Sequence, residues 1–247
     1  MTIEEKIKEC IKREVEKIGR PDLFREPIVG FSSSSDKRYD ELKNIIGPWV
    51  VHPKEILNTC ESVISYFVPF TKDVACAPLK EEYQANIWSE AYNIINRNFP
   101  EISLKVVSLL KDEGYDASVI VSVNNTDLGS LKSEWPNKSA SVISEIGSFG
   151  KSHIVMTKKG SAGRLMTVFT SAKLQVSSKY DGPTCINCNK CVDICPVHSI
   201  GENGDINLKD CLDRLNLSDE LFLKSSAFET LATCGKCSSV CPFSYIE

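Results

Sequence analysis

The 247-residue sequence has no apolar run that approaches the roughly 18 residues needed to span a membrane. Its first ten residues, MTIEEKIKEC, are charged and lack the apolar core of a secretory signal. Basic residues are not in excess, because 33 Asp and Glu outnumber 29 Lys and Arg and the net charge is −4. Nucleic-acid-binding domains usually carry a clear basic excess. These absences predict a cytoplasmic protein that does not sit in a membrane and has no nucleic-acid partner.

The usual cofactor fingerprints are also missing. No Gly-x-Gly-x-x-Gly segment offers a dinucleotide site, and the segment GSFGKS fails as a phosphate loop because its first glycine would have to stand where Glu145 does. The three histidines have no ligand spacing, and no Asp-x-His-x-x-Gly pattern is present. A nucleotide fold and a corrinoid held by a protein histidine are therefore not predicted.

Cysteine, by contrast, is concentrated at one end. Eight of the 11 cysteines lie within residues 185–241. Residues 185–196 read CINCNKCVDICP, residues 234–242 read CGKCSSVCP, and Cys211 stands between them. The first run has the C-x2-C-x2-C-x3-C-P spacing of bacterial ferredoxins, in which the fourth cysteine binds the other 4Fe–4S cluster. Because cytosolic thiols stay reduced, the pattern indicates metal ligands before disulfides.

This spacing divides the eight thiolates into two sets, each predicted to hold one 4Fe–4S cluster. The set-one cysteines are Cys185, Cys188, Cys191 and Cys241. The set-two cysteines are Cys195, Cys211, Cys234 and Cys237. Zinc and disulfides are the alternatives, but zinc sites usually present two C-x-x-C pairs rather than a three-cysteine run followed by Cys-Pro. The remaining cysteines, Cys10, Cys60 and Cys76, have no ligand spacing.

The residues before the cysteine block alternate between helical and strand patterns. The Thr2–Glu5 capping box and an isoleucine stripe predict a first helix, and the apolar run 62–70 predicts a buried strand. Helices are predicted at 80–97 and 101–113, among others. This interleaving favours an α/β layer domain over residues 1–178, followed by a small ferredoxin-like domain over residues 179–247.

Shorter elements are predicted from local patterns. Residues 117–123 read as a strand and 138–147 as a helix, and the strands 153–157 and 165–172 flank a turn. Within the cysteine block, 199–211 reads as a small hairpin and 218–231 as a helix capped by Ser218.

One basic segment stands out in this acidic protein. Residues 146–180 contain six basic residues and no acid, whereas residues 181–247 contain ten acids and five bases. The segment is interpreted either as a wall that binds an anionic cofactor, substrate or partner, or as a solvated hairpin that faces the acidic cysteine block.

Together these motifs resemble the epoxyqueuosine reductase family, which is related to the reductive dehalogenases. The matching segments are collinear: VISYFVPF at 63–70, the stretch 143–174 with its Gly-x-x-Gly-Lys, and the cysteine block. The resemblance implies a nitroreductase-like α+β layer domain that holds cobalamin, followed by two clusters that pass single electrons to cobalt. The candidate cofactor-binding residues are Gly147, Ser148, Gly150, Lys151 and Arg164.

The sequence departs from the family at two places. The long enzymes use an acid as proton donor, and our alignment puts Ala91 at its position, with Glu90 and Tyr92 as the neighbouring candidates for a catalytic role. The tRNA-reading helical repeats that follow the cysteine block in the long enzymes are not in this sequence. Together with the acidic net charge, this predicts a substrate other than tRNA.

Two functions stay open at this point. The first is an iron–sulfur oxidoreductase that takes electrons from a ferredoxin- or flavodoxin-type partner and delivers them to cobalamin or a small-molecule substrate in the larger domain. The second is a non-enzymatic electron carrier or reductive activator that docks on a partner protein. A flavin in place of cobalamin is a weaker variant of the first. The first is favoured because about 180 residues precede the cluster module, enough to build a core and a pocket.

Overall fold

The computed structural model describes residues 1–82, 85–120, 126–127, 132–223 and 233–247. The α-helices are α1 Ile3–Glu16, α2 Lys37–Ile45, α3 Pro53–Ile56, α4 Lys72–Cys76, α5 Asn86–Asp112, α6 Asn137–Ile143, α7 Lys190–Asp193, α8 Leu208–Leu223 and α9 Lys236–Ser239. A 3-10 turn covers Ala77–Leu79. The strands are β1 Ile28–Ser33, β2 Ser62–Pro69, β3 Ala117–Ser118, β4 Thr126–Asp127, β5 Lys132–Ser133, β6 Gly147–Phe149, β7 Val155–Thr157 and β8 Gly163–Thr170.

The main sheet has the order β1-β2-β8-β3, and every neighbouring pair is antiparallel. All eight residues of β2 are buried, which is why its sequence shows an unbroken apolar run rather than alternation. The predicted α/β layering is therefore realised as an α+β arrangement, in which helices cover an antiparallel sheet. Two further two-stranded sheets pair β4 with β5 and β6 with β7.

Helices cover both faces of the main sheet. On one face α1 and α5 pack against alternate residues of β2 and β8, and this core includes Ile7, Tyr66 and Phe99. On the other face α2 and α6 enclose a smaller core in which Trp135 stacks on Tyr39. The predicted capping box at the start of α1 is confirmed, because the Thr2 side chain and Glu5 exchange hydrogen bonds with each other's backbone.

The structure corrects the prediction of two helices at 80–97 and 101–113. One continuous helix, α5, runs through Pro100. A proline in a helix costs one backbone hydrogen bond. The cost is offset here because the helix buries apolar side chains on both sides of that point, including Phe99 and Ile102.

Three other short predictions were wrong in part. The helix predicted at 138–147 ends at Ile143, and the following residues enter β6, which pairs with β7. The strands β7 and β8 therefore belong to different sheets and do not form a hairpin with each other. The strand predicted at 117–123 is seen as Ala117–Ser118, and residues 121–123 lie outside the described part of the chain.

The cysteine block contains a mixture of confirmed and corrected elements. The hairpin predicted at 199–211 is present as a bridge between Ile200 and Ile206, with Gly204 in the left-handed region at φ +93°. Helix α8 begins at Leu208, so Ser218 lies inside a helix rather than at its cap. Residues 224–231 of that prediction lie outside the described residues.

The C-terminal segment packs against the body of the protein. The Arg25 guanidinium donates to the carbonyl oxygens of Lys159 and Ile246 at 3.0 and 2.6 Å and lies 4.4 Å from the centre of the Tyr245 ring. The Ala162 amide donates to Ser244 O at 3.0 Å. The domain boundary at 178/179 stays a prediction. Among the described residues, no helix is long and apolar enough to cross a membrane.

Candidate functional site

The first cysteine run folds as a tight loop that ends in α7. Asn187 and Asn189 adopt left-handed backbone conformations, at φ +53° and +60°. Asparagine tolerates this region better than most residues, so the two positions turn the chain between successive cysteines. Asn189 O accepts from the amides of Val192 and Asp193 at the start of α7.

The set-one thiols lie near one another. Burial raises the pKa of the Cys191 thiol, and the neighbouring thiols of Cys185 and Cys188 raise it further. The pKa of Cys241 is raised in the same way, by burial and then by Cys188, Cys185 and Cys191. The two motifs, 50 residues apart between Cys191 and Cys241, thus contribute to one local group of four sulfurs.

The set-two thiols form a second group. Burial raises the pKa of Cys237 to about 12, and the thiols of Cys234, Cys211 and Cys195 act in the same direction. The pKa of Cys211 is raised by burial, Cys234 and Cys195. Burial also opposes ionisation of Cys195, but hydrogen bonds from the Ser199 side chain and from backbone amides outweigh it, so its pKa is lowered.

A cavity lies against the set-one thiols. Its walls include Gly150, Ile154, Met156 and Phe243 as well as all four set-one cysteines and Cys237 of set two. An apolar wall around thiolates limits solvent access, and solvent access is one of the factors that set a cluster's reduction potential. In the described part of the chain, no group of three or more His, Cys, Asp or Glu side chains is close enough to hold a single metal ion.

The Gly-x-x-Gly-Lys segment lies beside this cysteine loop. Lys151 Nζ donates to Asn189 Oδ1 at 2.5 Å, and Ser148 Oγ donates to Pro183 O at 3.2 Å. Gly147 is required by close packing, because a Cβ there would stand 2.3 Å from Met156 O. Gly150 closes a turn in which its amide donates to Ile154 O at 2.8 Å. The structure therefore brings these four candidate cofactor-binding residues next to the set-one cysteines.

Arg164, the fifth of these candidates, lies elsewhere, with Tyr92. Its guanidinium stacks 4.1 Å from the centre of the Tyr92 ring, and its Nε donates to Asn96 Oδ1 at 3.0 Å. Tyr92 and Asn96 are one helical turn apart on α5 and so share a face. Asn96 is 7% exposed, and its Nδ2 has no hydrogen-bond partner.

Lys138, on helix α6, is the fourth residue near Tyr92, Asn96 and Arg164. Its side chain is exposed to solvent, yet surrounding protein desolvates the ammonium and lowers its pKa, with further lowering from Arg164. The Lys138 ammonium is thus reached by solvent while protein surrounds it, and it lies within electrostatic range of Arg164. The thiols of Cys237 and Cys211 are near enough to oppose the shift. We refer to the space bounded by Tyr92, Asn96, Lys138 and Arg164 as the Lys138–Arg164 cleft; it adjoins the set-two cysteines.

The other two positions considered for acid chemistry do not reach this cleft. Glu90 forms an ion pair with Arg20, with an oxygen-to-nitrogen distance of 2.6 Å, on an exposed surface of α5. Ala91 is completely buried in the core between α5 and the sheet. Of the three neighbouring residues, only Tyr92 faces Arg164.

Sequence reasoning missed Lys138 and Asn96. For Lys138 the sequence predicts only a helical position. Asn96 lies in a long helical pattern with no recognisable motif around it. The one available signal was the spacing of Tyr92 and Asn96 on one helix face, and it becomes informative only when the partner on β8 is known.

The predicted basic wall does not form as a single surface. Lys158 is paired with Asp181, and Lys159 with Glu26 at 3.2 Å. Lys151 turns to the cysteine loop and Arg164 to the cleft. Four of the six positive charges therefore contact four different parts of the protein.

Comparisons with known proteins agree with this arrangement. Residues 184–244 match the model of the 4Fe-4S double cluster binding domain. An epoxyqueuosine reductase of Lactococcus garvieae (strain Lg2) is 23% identical over 235 residues, which are 91% of this chain and 61% of that protein. The chain thus resembles the epoxyqueuosine reductases over most of its length. Both this resemblance and the mixed α and β fold class predicted from the sequence are confirmed.

The fold of this chain is also similar to solved structures of epoxyqueuosine reductases and of reductive dehalogenases. The structure of an epoxyqueuosine reductase with an epoxyqueuosine-modified tRNA-Tyr stem loop matches with a TM-score of 0.62 at 19% identity, over 98% of this chain and 66% of that one. A reductive dehalogenase whose structure suggests a mechanism for B12-dependent dehalogenation matches with a TM-score of 0.61 at 14% identity, over 89% and 30% of the two chains. The chain thus spans about 61% of the length of its curated relative.

Proposed function

We propose that this epoxyqueuosine reductase-like iron–sulfur protein is a cytoplasmic oxidoreductase that passes single electrons through two 4Fe–4S clusters to a cofactor or substrate in the Lys138–Arg164 cleft. The observation that carries the proposal is the grouping of the eight thiols. Each of the two groups holds four sulfurs, which is the ligand number of one 4Fe–4S cluster. The residues present therefore fit two such clusters.

The surroundings of the two sets support a direction of electron flow. Cys188 of set one is exposed, as is its neighbour Ile186 at 61%. Set two adjoins the cleft through Cys237 and Cys211, which act electrostatically on Lys138. In the proposal, a ferredoxin- or flavodoxin-type partner delivers electrons at set one, and electrons leave for the cleft from set two.

The cofactor proposed for the cleft is cobalamin, on the strength of the family likeness. Cobalamin, when bound, supplies the redox-active cobalt centre. None of the three histidines is among the cleft residues: His52 caps α3, His153 lies in the turn after Gly150, and His198 follows the set-two cysteine Cys195. Asn96 Nδ2, as a buried donor without a partner, fits an acceptor oxygen of a bound group.

A nucleic-acid substrate belongs to this proposal as well. A relative of the same fold was solved with a modified tRNA stem loop, and this counts against the prediction from net charge that nucleic acid is not a partner. We therefore propose two substrate classes to be compared directly, a tRNA stem loop and a free small molecule.

The decisive experiment is anaerobic purification of the full chain from cells supplied with cobalamin. Iron, cobalt, zinc and flavin are counted per chain, and EPR spectra are recorded before and after dithionite. We expect about eight irons and a corrinoid that is reduced after the clusters. Zinc in place of iron, or bridged thiols, would overturn the cluster assignment. A yellow chromophore released on denaturation, with no cobalt, would replace cobalamin by flavin.

A second candidate is an electron carrier or reductive activator without its own substrate. It is favoured by Ala91, because the position aligned with the family's proton donor is a buried methyl group without acid function. This candidate predicts full cluster reduction, no bound corrinoid or flavin, and electron transfer to a protein partner that weakens as salt is raised.

A further inference from the structure

Three residues of the Lys138–Arg164 cleft carry hydrogen-bond donors that have no acceptor in the part of the chain that the structure describes. Arg164 donates a hydrogen bond from Nε to Asn96, and the plane of its guanidinium stacks on the Tyr92 ring. Its two terminal nitrogens have no acceptor among the described residues. Asn96 Nδ2 is buried and has no partner. Lys138 Nζ has neither an ion pair nor a hydrogen bond in the described part of the chain. A buried donor without an acceptor is costly, so Asn96 Nδ2 in particular indicates a missing ligand.

Neither Lys138 nor Arg164 has a carboxylate partner among the described residues, and the set-two thiols of Cys237 and Cys211 act only on Lys138. None of the ion pairs found among the described residues involves Lys138 or Arg164, whereas Lys158 and Lys159 of the basic segment are each paired with a carboxylate. The two cations also repel each other, which is one of the causes of the lowered pKa of Lys138. Placing two cations together in a partly desolvated cleft is unfavourable unless an anion joins them.

The sheet edge beside Arg164 is not covered by another strand of the described chain. Strand β3 pairs with β8 only at Phe169 and Thr170, so the segment of β8 that carries Arg164 has no strand partner on that edge among the described residues. Helix α6 reaches the same strand, where Thr167 Oγ1 donates to Asn137 Oδ1 at 2.8 Å. That contact fixes the residue immediately before Lys138.

We infer that the Lys138–Arg164 cleft binds an anionic oxygen group, a carboxylate or phosphate, and that the ligand of this protein carries one. The guanidinium offers paired N–H donors to two oxygens of one anion, Lys138 adds a point charge, and Asn96 adds a neutral donor. The inference rests on the proposed function, since it names the substrate or cofactor class for the cleft beside the set-two cysteines.

The test measures binding of inorganic phosphate and of benzoate to the cluster-loaded full chain by anaerobic calorimetry at low salt. We expect saturable binding of at least one of them, weakened about tenfold or more in Lys138→Gln and in Arg164→Gln, because each removes a charge-assisted contact. The matched control is Lys173→Gln, which removes an exposed lysine from the same basic segment. Iron content and the EPR spectrum, recorded on every sample, verify that each variant is folded.

The outcomes separate the inference from the proposed function. Equal weakening in Lys173→Gln and Lys138→Gln, or no saturable binding by protein with about eight irons, overturns the inference and leaves the cluster proposal standing. Absence of iron overturns the cluster proposal instead. A repeat with hydroxocobalamin present identifies the source of the anion. If phosphate is displaced, the cofactor's own phosphodiester occupies the site, and if phosphate still binds, the site belongs to the substrate.

Discussion

Gly235, between Cys234 and Cys237, lies flat against the indole ring of Trp88. A Cβ at this glycine would stand 2.5 Å from Trp88 Cε2, and the residue has φ +73°. The adjacent Lys236 ammonium donates to the carbonyl oxygens of Pro78 and Glu81 at 3.0 and 2.5 Å. The set-two motif is thus held against the start of α5 by steric fit as well as by hydrogen bonds.

We expect Gly235→Ala to lower stability and to deplete the set-two cluster. The left-handed backbone costs about 1–2 kcal/mol for a residue with a Cβ, and the clash with Trp88 adds about 1–3 kcal/mol. Thermal unfolding and iron content measure the effect. Gly204→Ala is the control, because φ is +93° there but the nearest atom is 3.7 Å away. Equal losses in both variants would show that the Trp88 contact contributes nothing.

Cysteine variants should remove one cluster at a time. Cys188→Ser in set one and Cys211→Ser in set two are each expected to lower iron from about eight to about four per chain, since each cluster needs its full ligand set. Iron analysis and EPR of the remaining cluster provide the measurement. Cys76→Ser, a cysteine outside both sets, should retain the full iron content. If Cys188→Ser and Cys211→Ser deplete the same EPR signal, the assignment to two sets is wrong.

Replacing Lys151 should change the reduction potential of the set-one cluster. Its ammonium donates to Asn189 inside the cysteine loop and lines the cavity beside the set-one thiols. Loss of a positive charge favours the oxidised cluster, because that state is less negative than the reduced one. Lys151→Met should therefore lower the midpoint potential by roughly 30–60 mV, where about 59 mV corresponds to a tenfold change in the equilibrium constant of a one-electron reduction. An EPR-monitored redox titration measures it. Lys151→Arg, which retains the charge, should stay near the wild-type value, and a shift of equal size there would refute an effect of charge.

Arg25 should prove important for holding the C-terminal segment. Its guanidinium joins two carbonyl oxygens, one of them in Ile246, and stacks on Tyr245. Arg25→Ala is expected to destabilise the protein by about 2–4 kcal/mol, because two hydrogen bonds to a charged group and a cation–π contact are lost. Chemical denaturation measures the change. Arg25→Lys should recover only part of it, since an ammonium cannot span both oxygens; full recovery would mean that charge alone matters.

Parts of the fold followed directly from local sequence signals. The capping box at Thr2 marked the start of α1, and the unbroken apolar run at 62–70 marked the buried strand β2. Both signals are local, because a cap needs only its own turn and a central strand buries every side chain. The two helices inferred around Pro100 were wrong, since burial on both sides of a proline is a tertiary effect that local propensity does not contain.

Some features of the candidate site could likewise be predicted from local sequence, whereas others depend on the tertiary structure. The cysteine spacing alone predicted which thiols belong together, because cluster geometry constrains the ligand loop itself. The assignment of those thiols as ligands stays a prediction that iron analysis tests. The sequence marked the Gly-x-x-Gly-Lys segment as a candidate cofactor site, which stays a prediction. Its contact with the cysteine loop, through Lys151 and Asn189, required a fold that joins residues 38 apart.

The sequence by itself determined the redox chemistry that this protein can support, since thiolate type, number and spacing are written in one short block of residues. Only the tertiary structure decided which side chains gather beside the cysteine block. Lys138, Asn96 and Arg164 come from two helices and a strand that are far apart in the chain. No local pattern marks them, because what they share is a donor group without an acceptor among the described residues, and that property arises only after the sheet and its covering helices have packed.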